Sequence, residues 1–191
     1  VVLPTQRNAA ECPRLSVVMP AFNEAVTILA ALQRVLDQPF VRDVVIVDDA
    51  STDGTADQLR LVDDPRVTVL THPVNRGKGA SVRTAVPHTL GPYVAIQDAD
   101  LEYDPAELAR LIEPLDADQA DVVYGSRFLS GDARRVLYFW HSIGNRLLTM
   151  ASNMATNINL SDMETGYKVF RKEVLDQITI QEDRFGFEPE I

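Results

Sequence analysis

The run Val44 to Thr55 reads VVIVDDASTDGT. Its first four residues, Val44 to Val47, are all β-branched, as in a strand buried on both faces of a parallel sheet. Asp48-Asp49-Ala50-Ser51 then puts acids at the carboxyl end of that strand, and Asp53-Gly54-Thr55 opens a helix expected to run to Leu61. Buried strand, polar turn, helix: this order builds α/β sheets, whose ligands bind at the carboxyl ends of the strands.

Outward from this run the alternation continues. Leu15 to Met19 is an apolar β-type run closed by Pro20, and Ile28, Leu29, Leu32, Val35 and Leu36 have helical spacing within Glu24 to Leu36. Downstream, Val67 to Leu70 reads as a strand, Ala80 to His88 as a helix, Tyr93 to Ile96 as a strand, Ala106 to Leu115 as a helix led by Pro105, and Asp121 to Tyr124 as a strand. Beyond Tyr124 the pattern loosens: Gly125 to Arg135 reads as a loop, Val136 to Ala155 as a helix and Lys168 to Phe170 as a short strand. The expectation is an α/β fold, a Rossmann-like, mostly parallel sheet flanked by helices in a single domain. Residues 1–14 would form an N-terminal arm, 15–124 a nucleotide-binding half and 125–191 a less regular acceptor half that continues past Ile191.

The chain has 191 residues, enough for one domain with a sizeable core. Lys plus Arg number 18 against 28 Asp plus Glu, a net charge of −10, which argues against a nucleic-acid binder. One cysteine, Cys12, makes no internal disulfide, so a reducing, cytoplasmic setting is expected. No run approaches the roughly 18–20 apolar residues of a membrane span, and Val1 to Arg14 lacks the apolar stretch of a signal peptide.

The chemistry-bearing residues fall at predicted strand ends: Pro20-Ala21-Phe22-Asn23-Glu24, Asp48-Asp49, and Asp98-Ala99-Asp100. In an extended segment Asp98 and Asp100 point to one side, where two carboxylates repel unless a cation lies between them. Mg²⁺ or Mn²⁺ suits such oxygen ligands and commonly bridges carboxylates to substrate phosphates. Glu102 has the same parity and is a third candidate ligand. An Asp-x-Asp pair alone also describes a solvated acidic turn, here with Asp104 as N-cap to Pro105. Asn75-Arg76-Gly77-Lys78-Gly79-Ala80 lies between a strand and a helix, where glycines permit close backbone approach and Arg76 and Lys78 supply charge for phosphate. It lacks Walker spacing, and no G-x-G-x-x-G follows the first strand, which counts against ATPases and nicotinamide dehydrogenases.

Five segments then occur in order: VVMPAFNE (Val17 to Glu24), VDDASTDGT (Val47 to Thr55), NRGKG (Asn75 to Gly79), QDADLEY (Gln97 to Tyr103) and GSRF (Gly125 to Phe128). Together they resemble the family 2 glycosyltransferases of the GT-A fold, most of all those acting on polyprenyl phosphates, such as dolichol-phosphate mannose and glucose synthases. The resemblance covers Leu15 to Ile191. It implies that Pro20, Ala21, Phe22 and Glu24 cradle base and ribose, that Asp49 contacts the base, and that Lys78, Asp98 and Ala99 meet the nucleotide-sugar. It places Asp98, Asp100 and Glu102 around the metal, although the family often has Gln at the last position. Arg127 is similar to the arginine that meets donor or acceptor phosphate.

DMETGYKVFR (Asp162 to Arg171) resembles the segment closing the acceptor side, and FGFEPEI (Phe185 to Ile191) a loop of lipid-linked relatives, with Glu188 near the acceptor. Lys168 reads either as a phosphate ligand or as a snorkelling side chain. The reaction implied is one inverting displacement at the anomeric carbon, with Asp100, Asp162 and Arg127 as catalytic candidates. A polyprenyl phosphate acceptor is already anionic; a hydroxyl acceptor needs a base, for which Asp162 is the candidate. The helix from Val136, with Leu137, Tyr138, Phe139, Trp140 and Arg146, reads either as a core helix or as a peripheral contact with the cytoplasmic face of a membrane. A soluble saccharide or protein acceptor, and a silent nucleotide-sugar-binding module, are the competing readings.

Overall fold

The computed structural model describes residues 13–125, 139–161, 165–184 and 186–191. Arg127, Asp162 and Cys12 lie outside the described residues.

Six strands form one sheet in the order β3-β2-β1-β4-β6-β5. They are β1 (Leu15–Ala21), β2 (Val41–Asp48), β3 (Val67–Thr71), β4 (Tyr93–Ile96), β5 (Val122–Tyr124) and β6 (Lys168–Arg171). Strands β1 to β4 pair in parallel, and β6 runs antiparallel to both neighbours, β4 and β5. The helices are α1 (Ile28–Leu36), α2 (Thr55–Leu59), α3 (Lys78–Ala85), α4 (Leu108–Asp116), α5 (Phe139–Thr156), α6 (Lys172–Leu175) and α7 (Phe187–Glu190).

Strand parity sorts the core. Val17, Met19, Val44, Ile46, Ala95 and Val169 face α1, α2 and α4 through Ile28, Leu32, Leu59 and Ile112. Val18, Val45, Val47, Val94, Ile96 and Phe170 face the other layer, with Val82 and Ala85 of α3, Leu175 of α6 and Phe187 of α7. Burying each such side chain contributes about 1.5–3 kcal/mol, so two covered faces explain the uninterrupted apolar strands. Because α1, after β1, and α3, before β4, lie on opposite faces, the chain leaves a crevice beyond the carboxyl ends of β1 and β4, where ligands of open α/β sheets bind.

Several boundaries differ from the sequence expectation. Strand β1 runs through Pro20 to Ala21 and pairs along its length with β2. The helix expected from Glu24 begins at Ile28, after a turn in which the Glu24 carbonyl accepts from the backbone N–H groups of Thr27 and Ile28. The expected helix Ala80 to His88 begins earlier, at Lys78, and its last turn, Val86–His88, tightens to 3-10 geometry. Asp104 caps the next helical turn as expected, accepting from Ala106 N at 3.1 Å. FGFEPEI is not a loop throughout, since Phe187–Glu190 is a helical turn whose Phe187 is buried in the core. Lys168 does not snorkel: it is 2% exposed, donates to the Thr165 carbonyl at 2.8 Å and lies 5.4 Å from the Tyr124 ring.

Candidate active site

The turn after β1 and the turn after β2 are knitted together. Asn23, at φ 59, donates its N–H to Ser51 Oγ at 2.9 Å and accepts from Thr52 N at 2.8 Å. Glu24 N donates to Thr55 Oγ1 at 2.8 Å and Ala25 N to Asp53 Oδ2 at 3.0 Å. Two strand ends that each carry unpaired N–H groups thereby satisfy one another, which fixes Pro20, Ala21, Phe22 and Glu24 along one wall of the crevice.

Asp49 is buried, at 3% exposure. Its carboxylate accepts from Arg76 N at 2.9 and 3.1 Å, from Gly77 N at 2.6 Å and from His72 Nδ1 at 2.6 Å. An ionised carboxylate only accepts, so His72 Nδ1 carries a proton, and Nε2 lies 2.9 Å from Thr84 Oγ1. The anion seated on the Arg76–Gly77 turn is therefore the protein's own, and Asp49 positions that turn while it lines the crevice.

The close approach that the glycines of this turn permit is likewise internal. Gly77 has φ +96, and a Cβ there would lie 2.4 Å from the Asp183 carbonyl; a Cβ on Gly79 would lie 2.0 Å from that of Glu182. Residues 180–184 thus cross the turn as a strap, with Ala80 N donating to Asp183 O at 3.2 Å. Arg83 holds the strap through the Ile180 carbonyl at 3.0 Å and the Asp183 carboxylate. Glu190 accepts from Gln181 N at 2.7 Å and Glu182 N at 2.8 Å.

The crevice has a volume of about 450 Å³, and its lining includes Pro20, Ala21, Phe22, Glu24, Asp49, Lys78, Asp98, Ala99 and Asp100. Asn75, Gly77, Ser81 and Arg184 complete it. The Lys78 ammonium lies 2.8 and 3.0 Å from the two Asp98 oxygens and 3.2 Å from Glu188 Oε1. Burial opposes its charge, but Asp98 and Glu188 outweigh burial and hold its pKa above the ordinary lysine value. Burial pushes the Asp100 carboxyl up, and Asp98, Glu102 and Glu24 add to that; the hydrogen bond from Glu102 N, at 3.0 Å, opposes it.

Crowded acids of this kind fit a divalent cation bound through one or two carboxylates and completed by substrate phosphates. Among the described residues no group of three or more His, Cys, Asp or Glu side chains is gathered for a metal. Asp98 and Asp100 line the crevice, and Glu102 follows them closely enough for its charge to act on Asp100. Strand β4 stops at Ile96 and Leu101 has φ 62, so the alternation that gave Glu102 the parity of the pair is broken. Glu188 pairs with Lys78, which lines the crevice. Arg184, Ser81 and His72 went unread in the sequence. Arg184 reaches the crevice only through the strap, and no local pattern marks such a residue.

A 3-2-1-4-6-5 sheet with an acid-lined crevice at its switch point defines an α/β fold of GT-A type. The chain belongs to glycosyl transferase family 2, whose model matches residues 16–179. It is 31% identical to the polyprenol monophosphomannose synthase of Mycolicibacterium smegmatis, over 94% of this chain and 67% of that one. It is 31% identical to the glycosyltransferase AglJ of Haloferax volcanii, over 92% of this chain and 56% of that protein. The chain thus spans between about half and two thirds of the length of these two relatives. A mannosyltransferase of Pyrobaculum calidifontis, solved with GDP-Man and Mn²⁺, shares the fold with a TM-score of 0.64 and 24% identity, over 93% of this chain and 50% of that one. Glucosyl-3-phosphoglycerate synthase of Mycobacterium tuberculosis, solved with Mn²⁺, UDP and phosphoglyceric acid, does so with a TM-score of 0.67 and 22% identity, over 95% of this chain and 63% of that one.

Proposed function

We propose that this chain carries the donor site of an inverting glycosyltransferase that moves a hexose from a UDP-glucose- or GDP-mannose-type donor to a polyprenyl phosphate. The observation that carries the reading is the juxtaposition of Asp98, Asp100 and Lys78 in one crevice with Phe22 and Pro20 on its far wall. Phe22, 46% exposed, offers an aromatic face for a base. A polyprenol monophosphomannose synthase among the relatives and a fold neighbour solved with GDP-Man support the class.

In the reaction, an acceptor phosphate oxygen attacks the anomeric carbon as the bond to the nucleoside diphosphate breaks, and the departing oxygen takes the bonding pair. Asp98 and Asp100 would hold Mg²⁺ or Mn²⁺, which when bound would supply Lewis-acid stabilisation to that diphosphate. Lys78 adds a fixed positive charge where negative charge develops. An anionic acceptor needs no strong base; Asp162 would serve only a hydroxyl acceptor, and Arg127 would meet a phosphate. The acceptor side draws support from α5, which buries the polar Asn145 and Thr149 and exposes Leu147, Leu148, Met150 and Met154 beside the exposed Arg146. An apolar face with a base fits peripheral contact with lipid. No helix among the described residues is long and apolar enough to cross a membrane.

The test is transfer from radiolabelled UDP-glucose and GDP-mannose to a short-chain polyprenyl phosphate with Mn²⁺. Organic-phase product from one donor, lost in Asp98→Ala, is expected. No transfer to lipid from either donor, with transfer to a soluble saccharide, would overturn the lipid acceptor.

A further inference from the structure

Lys78 is claimed by two acids from two different elements. Asp98 belongs to the turn after β4 and holds the ammonium at 2.8 and 3.0 Å through both oxygens. Glu188 belongs to α7, reached through the strap, and holds it at 3.2 Å. The lysine side chain is 22% exposed and Glu188 15%, so both are shielded from bulk water. The turn that carries Lys78 is fixed: Asp49 grips Arg76 N and Gly77 N, and the strap lies on Gly77 and Gly79. Only the end of the lysine side chain is left to move.

We infer that Lys78 stands in for the divalent cation on Asp98, and that Glu188 is a positioning residue that keeps the ammonium over the crevice once a cation displaces it. The inference rests on the donor-site reading given above. A carboxylate engaged through both oxygens by an ammonium is unavailable to a metal, so Lys78 competes with a cation that arrives alone. A cation arriving with a diphosphate meets a different balance, because the displaced ammonium gains the phosphates as partners. With Glu188 present the ammonium stays within reach of them rather than turning to solvent. Lys78 therefore opposes the metal in the absence of nucleotide and favours the metal–nucleotide pair in its presence. This reversal of sign couples cation binding to donor binding, and such coupling is reciprocal. It follows from one lysine between two acids and requires no movement of the sheet.

Isothermal titration calorimetry tests this with Mn²⁺ alone, and with UDP or GDP at saturating Mn²⁺. Lys78→Met is expected to tighten Mn²⁺ binding in the absence of nucleotide by up to about tenfold, as removal of a competing occupant frees the site. The same variant is expected to weaken the preferred nucleoside diphosphate at saturating Mn²⁺ severalfold. Glu188→Gln is expected to weaken that nucleotide without tightening Mn²⁺ alone, which a merely structural role for Glu188 would not produce. The double variant Lys78→Met/Glu188→Gln removes the Lys78–Glu188 pair whole and leaves the Asp98 carboxylate to the cation. Should either single variant misfold, the double variant is still expected to bind Mn²⁺ alone more tightly than the unaltered protein. Unchanged or weaker Mn²⁺ binding in Lys78→Met, or in the double variant where that stands in for it, would overturn the stand-in role. Unchanged nucleotide affinity in Glu188→Gln would overturn the positioning role. If the unaltered protein with Mn²⁺ binds neither UDP nor GDP, the donor-site reading falls and takes this inference with it; if it binds one and the variants behave alike, the inference falls alone.

Discussion

Asp49 shows how much a residue's type reveals and how much its partners decide. Its acid at a strand end marks it as a site residue, yet its donors, His72, Arg76 and Gly77, lie 23 to 28 residues away. No window of sequence around Asp49 contains them, so its grip on the turn could not be read there. Asp49→Asn places an amide NH₂ against N–H donors and leaves one of them unsatisfied, so a loss of about 1–3 kcal/mol is expected in urea unfolding. Unchanged stability would mean that the turn holds its shape without the carboxylate. Asp43, at the opposite end of the sheet, accepts from Ser16 Oγ at 2.7 Å, and burial raises its carboxyl above the ordinary value of 3.8 in spite of that bond. The folded state thus binds this proton more readily than the unfolded chain does. Its contribution is greatest below the ordinary value and is lost as pH rises through the raised one. Urea midpoints of Asp43→Asn and the unaltered protein should therefore diverge in the variant's favour from pH 4 towards pH 7. A difference independent of pH would contradict the raised carboxyl.

The strap and the turn beneath it decide the geometry at the element scale. NRGKG is legible as a place of close backbone approach, but the approaching chain is residues 182–183, not a ligand. That partner is remote: Arg83 of α3 pairs with Asp183, 100 residues further on. Gly79→Ala would drive a methyl into a carbonyl oxygen, and lifting the strap should cost about 1–3 kcal/mol, read as a lower melting temperature. Among the described residues, nothing lies within 4 Å of the position a Cβ on Gly144, inside α5, would take. Gly144→Ala should therefore stabilise by about 0.5–1 kcal/mol through helix propensity. Equal effects of the two changes would deny the strap its contact. Element ends were harder to read than elements, because they depend on cross-links such as Glu24 N to Thr55 Oγ1, which delay α1 until Ile28.

Across the whole molecule, the parallel core of the sheet was legible because both of its faces are covered, so Val17 to Met19 of β1, Val44 to Val47 of β2 and Tyr93 to Ile96 of β4 are uninterrupted apolar runs. The antiparallel course of β6 was not, since strand direction leaves no trace in periodicity. The gathering of the motif residues was legible: every residue from Pro20 to Asp100 proposed for the nucleotide-sugar lines one crevice. The parity that singled out Glu102 holds only while the chain stays extended, and Leu101 turns it. The central claim is that this crevice binds a nucleotide-sugar with a divalent cation, and thermal unfolding with UDP-glucose and GDP-mannose, each with and without Mn²⁺, tests it most directly. One donor with Mn²⁺ at about 100 times its Kd should stabilise the fold by about 2.7 kcal/mol, and Asp98→Ala should abolish that gain. No shift with either donor, or the same shift in Asp98→Ala, would contradict it.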